Sequence, residues 1–408
     1  MKKVVTFLAS QSRTVCARGL IFVTLISLLT ACSPAEQMTN EADGGSNNPL
    51  VELEGQWIVD INGAVMPDPQ TSGLVFHNNQ LLTVSDASAL PIQRRRIHAI
   101  DPVSMTITDV YGPMTLASRV RRSCFAQYLS DEPDYEALVV DPDDPNVFIL
   151  VTEDATRSGA MSTRCQQRYE NTGSTAYPTL LVKVVKSEDN LRVTHVRPIQ
   201  YPLEYAVGDF PNDGIEGMAF GPERTLYLGL EKDSRGQPRI FSVVIDAQFW
   251  QTTDFAAVTD PQLDVPSFTA GNHPINGMDY LPLAGSHPGL LIAAARNDEQ
   301  LWFIDLAKQQ PTQIIDLVFL APSLSDDPQC KPFEKMDNAS LEGVAVVGAD
   351  VWLINDPWKR NYHKNIQCES NRQRYEAMAP LMFKLTLQPE WLRPYFQAKE
   401  ASAITQSD

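Results

Sequence analysis

Positive charge is scarce in this chain. Its 408 residues hold 33 Lys and Arg against 50 Asp and Glu, a net of −17 with neutral His. So acidic a surface argues against nucleic acid or anionic lipid as the main partner. Sustained helical periodicity is nearly missing, because Gly, Pro and Asn-Asp turns punctuate short β-branched runs from about Leu50 onward. An all-β domain is the expectation. Beyond residue 32 no run is long and apolar enough to span a membrane. There is no Cys-x-x-Cys pair, no Gly-x-Ser-x-Gly elbow and no His-Glu-x-x-His string. A four-thiol zinc site, an α/β-hydrolase nucleophile and a zincin-type protease are thereby set aside.

What the chain does have is a recurring hairpin. Asp213-Gly214-Ile215-Glu216-Gly217-Met218-Ala219-Phe220 enters an apolar strand through a Glu-Gly step, turns at Gly221-Pro222, and returns through Thr225 to Leu230 onto Glu231. The same pattern recurs from Tyr135-Glu136-Ala137 to Glu153-Asp154, and from Leu341-Glu342-Gly343 to Asn355-Asp356. Weaker copies run from Ser72-Gly73-Leu74 to Asp86 and from Ile275-Asn276-Gly277 to Asn297. Successive copies lie roughly 60 to 80 residues apart, a loose repeat with insertions.

Two further strand candidates follow each hairpin. They are Arg96 to Ile100 with Met105 to Val110, Leu180 to Val185 with Leu191 to Pro198, Arg239 to Ile245 with Phe255 to Val258, and Leu301 to Asp305 with Gln313 to Phe319. The fifth copy offers Leu381 to Leu387 and, as a candidate, Trp391 to Phe396. Four strands repeated five times predict a single β-propeller of four-stranded blades over residues 50–396, with a tail at 397–408. Glu54 to Ile61 would close the ring by pairing into the last blade. Six blades result if that segment belongs to a degenerate extra one.

The first residues read as a targeting segment. Lys2, Lys3, Arg13 and Arg18 form a basic region and Leu20 to Leu29 an apolar one, and Leu29-Thr30-Ala31-Cys32 resembles a bacterial lipobox. The expectation is a signal peptide over 1–31, lipidation at Cys32 and a flexible polar tether over 32–49. Ser33 after the cysteine favours the outer membrane of a bacterial envelope. Loss of the segment takes four cationic residues and brings the net charge to −21. The mature chain is expected to be a monomer.

The cysteines provide an independent check on the repeat. Cys124 and Cys330 each lie twelve positions before Glu136 and Glu342, while Cys165 and Cys368 follow the second strands of the same hairpins. Parallel placement implies the pairs Cys124–Cys165 and Cys330–Cys368 among the three connectivities, in a compartment that tolerates disulfides.

Within a four-stranded blade, the start of the inner strand and the end of the second lie on one face of the ring. Glu136, Glu216, Asn276 and Glu342 occupy the starts, and Asp86, Glu153 and Asp154, Glu231, Asn297, Asn355 and Asp356 the ends, so all converge on one channel mouth. Clustered carboxylates repel and raise one another's pKa unless a cation neutralises them. Hard oxygen donors from separate blades suit Ca2+. The same residue types also serve local hydrogen bonding at blade tips.

Repeated Glu-Gly-Met-Ala and Glu-Gly-Val-Ala hairpins ending on acidic residues, over most of Gly73 to Leu387, resemble the phytase-like group that includes the "esterase-like activity of phytase" proteins. The resemblance implies Ca2+ ions that hold and polarise a substrate phosphate. The characteristic active-site strings of alkaline propeller phytases are absent. The set of Glu, Asn, Asn and Asp around a channel is also similar to gluconolactonase and paraoxonase propellers, where one Ca2+ polarises a lactone or ester. Basic residues of the long loops are expected on the same face: Arg94, Arg95 and Arg96, Arg119, Arg121 and Arg122, and Lys359, Arg360, His363 and Lys364. As a rim they would receive an anionic ester, with His363 or His273 as general base. As solvated charges they would only balance local acids. Two functions follow: a Ca2+-dependent hydrolase of phosphate or carboxylic esters, or a non-catalytic module binding an envelope protein or glycan.

Overall fold

A computed structural model describes residues 48–404 apart from 154–161, 170–172, 174–178, 206, 208–213, 324–327 and 329. The signal segment, Cys32, nearly all of the tether, Asp154 and residues 405–408 lie outside the described residues. The protein is a propeller in which the repeated hairpins form the inner two strands of five sheet units. The first sheet is Thr71–His77, Gln80–Ser85, Ile97–Ile100 and Ile107–Tyr111; the second is Tyr135–Asp141, Asp144–Thr152, Leu180–Ser187 and Asn190–Gln200. The third is Ile215–Phe220, Thr225–Leu230 and Arg239–Val244, and the fourth is Ile275–Leu281, Leu290–Ala295, Gln300–Asp305 and Gln313–Pro322. The fifth, Leu341–Val347, Asp350–Asn355 and Leu381–Thr386, is completed by the N-terminal strand Leu50–Trp57, whose residues Gly55 to Trp57 pair antiparallel with Leu381 to Phe383. The same strand pairs parallel with the fourth sheet through Leu50 to Glu54, so it joins the two sheets.

Packing closes the ring. Each inner strand lies beside the inner strand of the next sheet, and the fifth returns to the first. Five separate apolar cores fill the five gaps between successive sheets. Every sheet is therefore covered on both faces, which is why its strands read as continuous apolar runs rather than alternating ones. Phe148 and Leu150 enter the core shared with the first sheet, while Ile149 and Val151 enter the one shared with the third. All six residues of Leu290–Ala295 are buried.

The glycine of the Glu-Gly step sets the width of the ring. A Cβ on Gly277 would lie 3.0 Å from the Gly343 Cα, and one on Gly343 would lie 2.8 Å from the carbonyl carbon of Gly73. A Cβ on Gly73, whose φ is +66°, would in turn lie 2.8 Å from the Ala137 Cα. Inner strands meet backbone to backbone here, and a larger residue would push them apart.

Two expected strands are corrected. Only Ala256–Ala257 of Phe255 to Val258 is extended, and it pairs parallel with Asn190–Gln200 of the second sheet; Thr259 alone bridges Ser242 of the third. Trp391 to Phe396 is not a strand but part of the helix Pro389–Ile404. Trp391 and Tyr395, four residues apart, face the fourth sheet together: Trp391 packs edge-on to Phe303, and the Tyr395 hydroxyl donates to the Phe303 carbonyl at 3.4 Å. Both expected disulfides are present, Cys124–Cys165 and Cys330–Cys368. No helix among the described residues is long and apolar enough to cross a membrane.

Candidate functional site

A break in strand register positions the acidic residues. In four inner strands the pairing skips one residue: between Tyr135 and Ala137, Ile215 and Gly217, Ile275 and Gly277, and Leu341 and Gly343. The skipped residues are Glu136, Glu216, Asn276 and Glu342. Such a bulge leaves its extra residue out of the ladder and turns its side chain away from the sheet face. In the first sheet the break spans Gly73 and Leu74, so no side-chain ligand is supplied there. The second strands end opposite these bulges, and the next residues are Asp86, Glu153, Glu231, Arg296 and Asp356.

These residues meet at one cavity of about 400 Å3, lined among others by Asp86, Asp134, Glu136, Glu153, Glu216, Arg296, Asn297, Glu342 and Asp356. Carboxylate oxygens of Asp134, Glu136 and Glu153 lie within 4.8 Å of one another, as do those of Glu153, Glu216 and Glu231. Glu153 belongs to both groups. Asp134, Glu153, Glu216, Glu231 and Glu342 are buried, and Asn276 is fully so. The Asn276 amide donates to Glu216 Oε2, and its own Oδ1 is buried without a hydrogen-bond partner. Asp356 Oδ1 is in the same state. Buried carboxylates with spare oxygens of this kind could hold a metal ion.

Electrostatics point the same way. Burial, then the neighbouring Asp134, pushes Glu136 well above the usual carboxylate range; burial and Glu216 do the same to Glu153. Glu216 is raised to about 8 by burial and Glu231, and Asp86 to about 6 by burial and Asp134. Asp356 is raised by burial and then Asp86. Three cations stand near these acids. Arg296 pairs with Glu342, and with Glu231 at 3.4 Å; Lys232 pairs with Glu231 at 2.8 Å. Lys359 is tied to Asp68 Oδ2 at 3.0 Å and to the Ser88 carbonyl at 2.5 Å, beside Asp86.

All seven residues expected to face a cation gather here, with Glu136, Glu216, Asn297, Glu342 and Asp356 lining the cavity, Glu231 in the second carboxylate group and Asn276 bonded to Glu216. The other expected residues are distributed differently. Both nitrogens of His273 are engaged, Nδ1 with Asp298 at 2.8 Å and Nε2 with the Ala270 carbonyl at 2.9 Å, and its ring stacks on Phe268. His363 is exposed on the short helix Tyr362–Asn365 and does not line the cavity. Arg94 pairs with Glu132. Arg95 and Arg121 line a separate groove with Met114 and Leu116 and bond the Ser130 and Leu116 carbonyls. Arg122 and Arg360 are exposed and outside the cavity lining. Of the expected rim, Lys359 comes nearest.

Asp134 and Arg296 were not legible as site residues, although a signal for each exists. Asp134 stands two positions before Glu136, on the same side of an extended segment. Arg296 directly follows the second strand, where the other sheets carry Asp or Glu.

No family model and no curated protein matches the chain. Among solved structures, an exported protein of Bacteroides fragilis is 8% identical with a TM-score of 0.36, covering 83% of this chain and 100% of its own. An α-L-arabinanase of Penicillium chrysogenum is 10% identical with a TM-score of 0.35, over 80% of this chain and 76% of its own. A streptogramin B lyase is 9% identical with a TM-score of 0.34, over 79% and 95%. Likeness at this level leaves the chain's own geometry as the ground for its function.

Proposed function

We propose that this chain is an envelope protein that holds Ca2+ at the channel mouth and hydrolyses a phosphate or carboxylic ester there. The observation that carries the reading is the pair of carboxylate groups sharing Glu153, with the unpartnered Asn276 Oδ1 buried beside them. Without a counter-ion, burial and mutual repulsion hold Glu136, Glu153 and Glu216 toward the protonated form. A divalent cation removes that cost. The donors are carboxylate and amide oxygens from separate sheets, a set that suits Ca2+.

When bound, the ion would supply Lewis-acid polarisation of the ester oxygen. Asp86 lines the cavity and is raised to about 6, which suits it to take a proton from water near neutral pH. Its carboxylate is held by the backbone N–H groups of Ser88 and Ala89. Arg296 ties Glu231 and Glu342 to one position. Arg296, in the cavity lining, is also the cation placed to receive a negatively charged substrate. The disulfides suit an exported chain, and a lipid on Cys32 would keep it at the membrane as a monomer.

The test is calorimetric titration of metal-stripped protein with Ca2+, followed by turnover of nitrophenyl acetate and nitrophenyl phosphate. Binding tighter than about millimolar is expected, with turnover that chelation abolishes. Failure to bind would leave the carboxylates as blade-tip polarity and turn the reading to a non-catalytic module for an envelope protein or glycan. Binding without turnover would keep the cation site and discard hydrolysis.

A further inference from the structure

A second cavity, of about 480 Å3, opens where the N-terminal strand joins the fourth and fifth sheets. It shares no residue with the acidic cavity. Trp57 and Phe333 provide aromatic walls, Val59 and Pro322 add apolar surface, and Arg374 and Glu54 are its charged residues. The walls come from distant segments held together covalently and by pairing. Phe333 lies on the strand Phe333–Lys335, which pairs with the fourth sheet, and Arg374 on the helix Arg372–Glu376. The Cys330–Cys368 bond, with Cα atoms 5.5 Å apart, ties these two segments just ahead of both residues.

Arg374 is the unusual member. Its guanidinium lies 5.9 Å from the centre of the Trp57 ring, and Trp57 is itself fixed by an edge contact to Tyr375 and a hydrogen bond to the Pro322 carbonyl at 3.2 Å. Nη1 reaches the Ser370 carbonyl only at 3.5 Å, and Nε is buried with no partner. Other arginines of the chain, such as Arg224, Arg239 and Arg296, pair with carboxylates. Burial lowers the basicity of Arg374, and among the described residues no carboxylate acts against it. A half-buried guanidinium without a counter-charge is costly, and an oxyanion binding its N–H edge relieves that cost with charge-assisted hydrogen bonds.

We propose that this cavity binds a small organic anion: a carboxylate or phosphate group against Arg374, carrying a flat apolar body that lies between Trp57 and Phe333. The polar end needs the guanidinium because the rest of the lining offers no second cation. The flat end needs the aromatic walls, which favour ring faces and edges over bulky or strongly hydrated groups.

Benzoate, acetate and inorganic phosphate, each titrated calorimetrically into the full chain, separate the two requirements. Benzoate should bind saturably and at least tenfold tighter than acetate or phosphate. Arg374→Gln should abolish benzoate binding. Glu54→Gln, on an exposed residue of the same lining, should strengthen it several-fold by removing a like charge. Unchanged melting temperatures would establish that both variants fold, and the Glu54→Gln result holds as a test even if Arg374→Gln does not. Undetectable benzoate binding, binding that survives Arg374→Gln, or weakening in Glu54→Gln would overturn the site. Phosphate or acetate binding as tightly as benzoate would overturn the apolar ligand.

Discussion

Replacing Glu216 by Gln should raise the stability of the metal-free protein while removing most of its response to Ca2+. The carboxyl is raised from an ordinary 4.5 to about 8. Below pH 4.5 the side chain is neutral in the folded and unfolded chain alike, and carries no penalty. As pH rises the unfolded chain loses this proton while the folded one keeps it, so stability falls steadily until about pH 8. At pH 7 the gap corresponds to about 3 kcal/mol against folding. Glu231 shares the repulsion, so a single substitution recovers at most about that amount. Gln keeps a carbonyl to accept from Asn276 and is neutral throughout. With Ca2+ at a hundredfold its dissociation constant the wild type should gain about 2.7 kcal/mol, and the variant little. Differential scanning calorimetry at pH 7 should therefore place the variant above the wild type without metal and abolish that lead with it. Glu223→Gln, exposed in the turn at the far end of the same hairpin, should change neither melt. If Glu216→Gln melts lower without metal, or if Ca2+ raises both proteins equally, the reasoning is wrong.

The remaining predictions concern pH and the disulfides. Protons compete with the cation for Glu136 and Glu153, both held well above the usual carboxylate range, and for Glu216, raised to about 8; Ca2+ affinity should climb as pH rises toward 8. Titrations in buffers of different ionisation enthalpy should detect proton release, and an affinity independent of pH would count against these ligands. Each disulfide, spanning 41 and 38 positions, should contribute about 4 kcal/mol on chain-entropy grounds. Denaturation midpoints with and without reductant measure this, and coincident curves would show that the bonds leave the unfolded chain unconstrained.

The sequence by itself determined the propeller class, the inner hairpins, both disulfides and the convergence of Glu136, Glu216, Asn276 and Glu342. These were legible because they are local or periodic: a strand advances by a constant rise, so residues at equal positions in equivalent hairpins arrive at equal depth. Burial of both sheet faces turned the strands into apolar runs, and the turns between them set the register. Only the tertiary structure decided which charges face one another. The bulges that turn the acids inward become visible once the paired strand is in place, and the strand ends beside them bring Arg296 and Asp134 into the site. Arg94, Arg95 and Arg121 sit on long loops whose paths no local pattern sets; Glu132 and the Ser130 carbonyl, distant in sequence, hold the first two, and the Leu116 carbonyl holds Arg121. The same limit explains the C-terminal helix, since Trp391 and Tyr395 gain their meaning from Phe303. It also explains Arg374, which pairs with no carboxylate among the described residues, a property of three segments meeting rather than of any one of them.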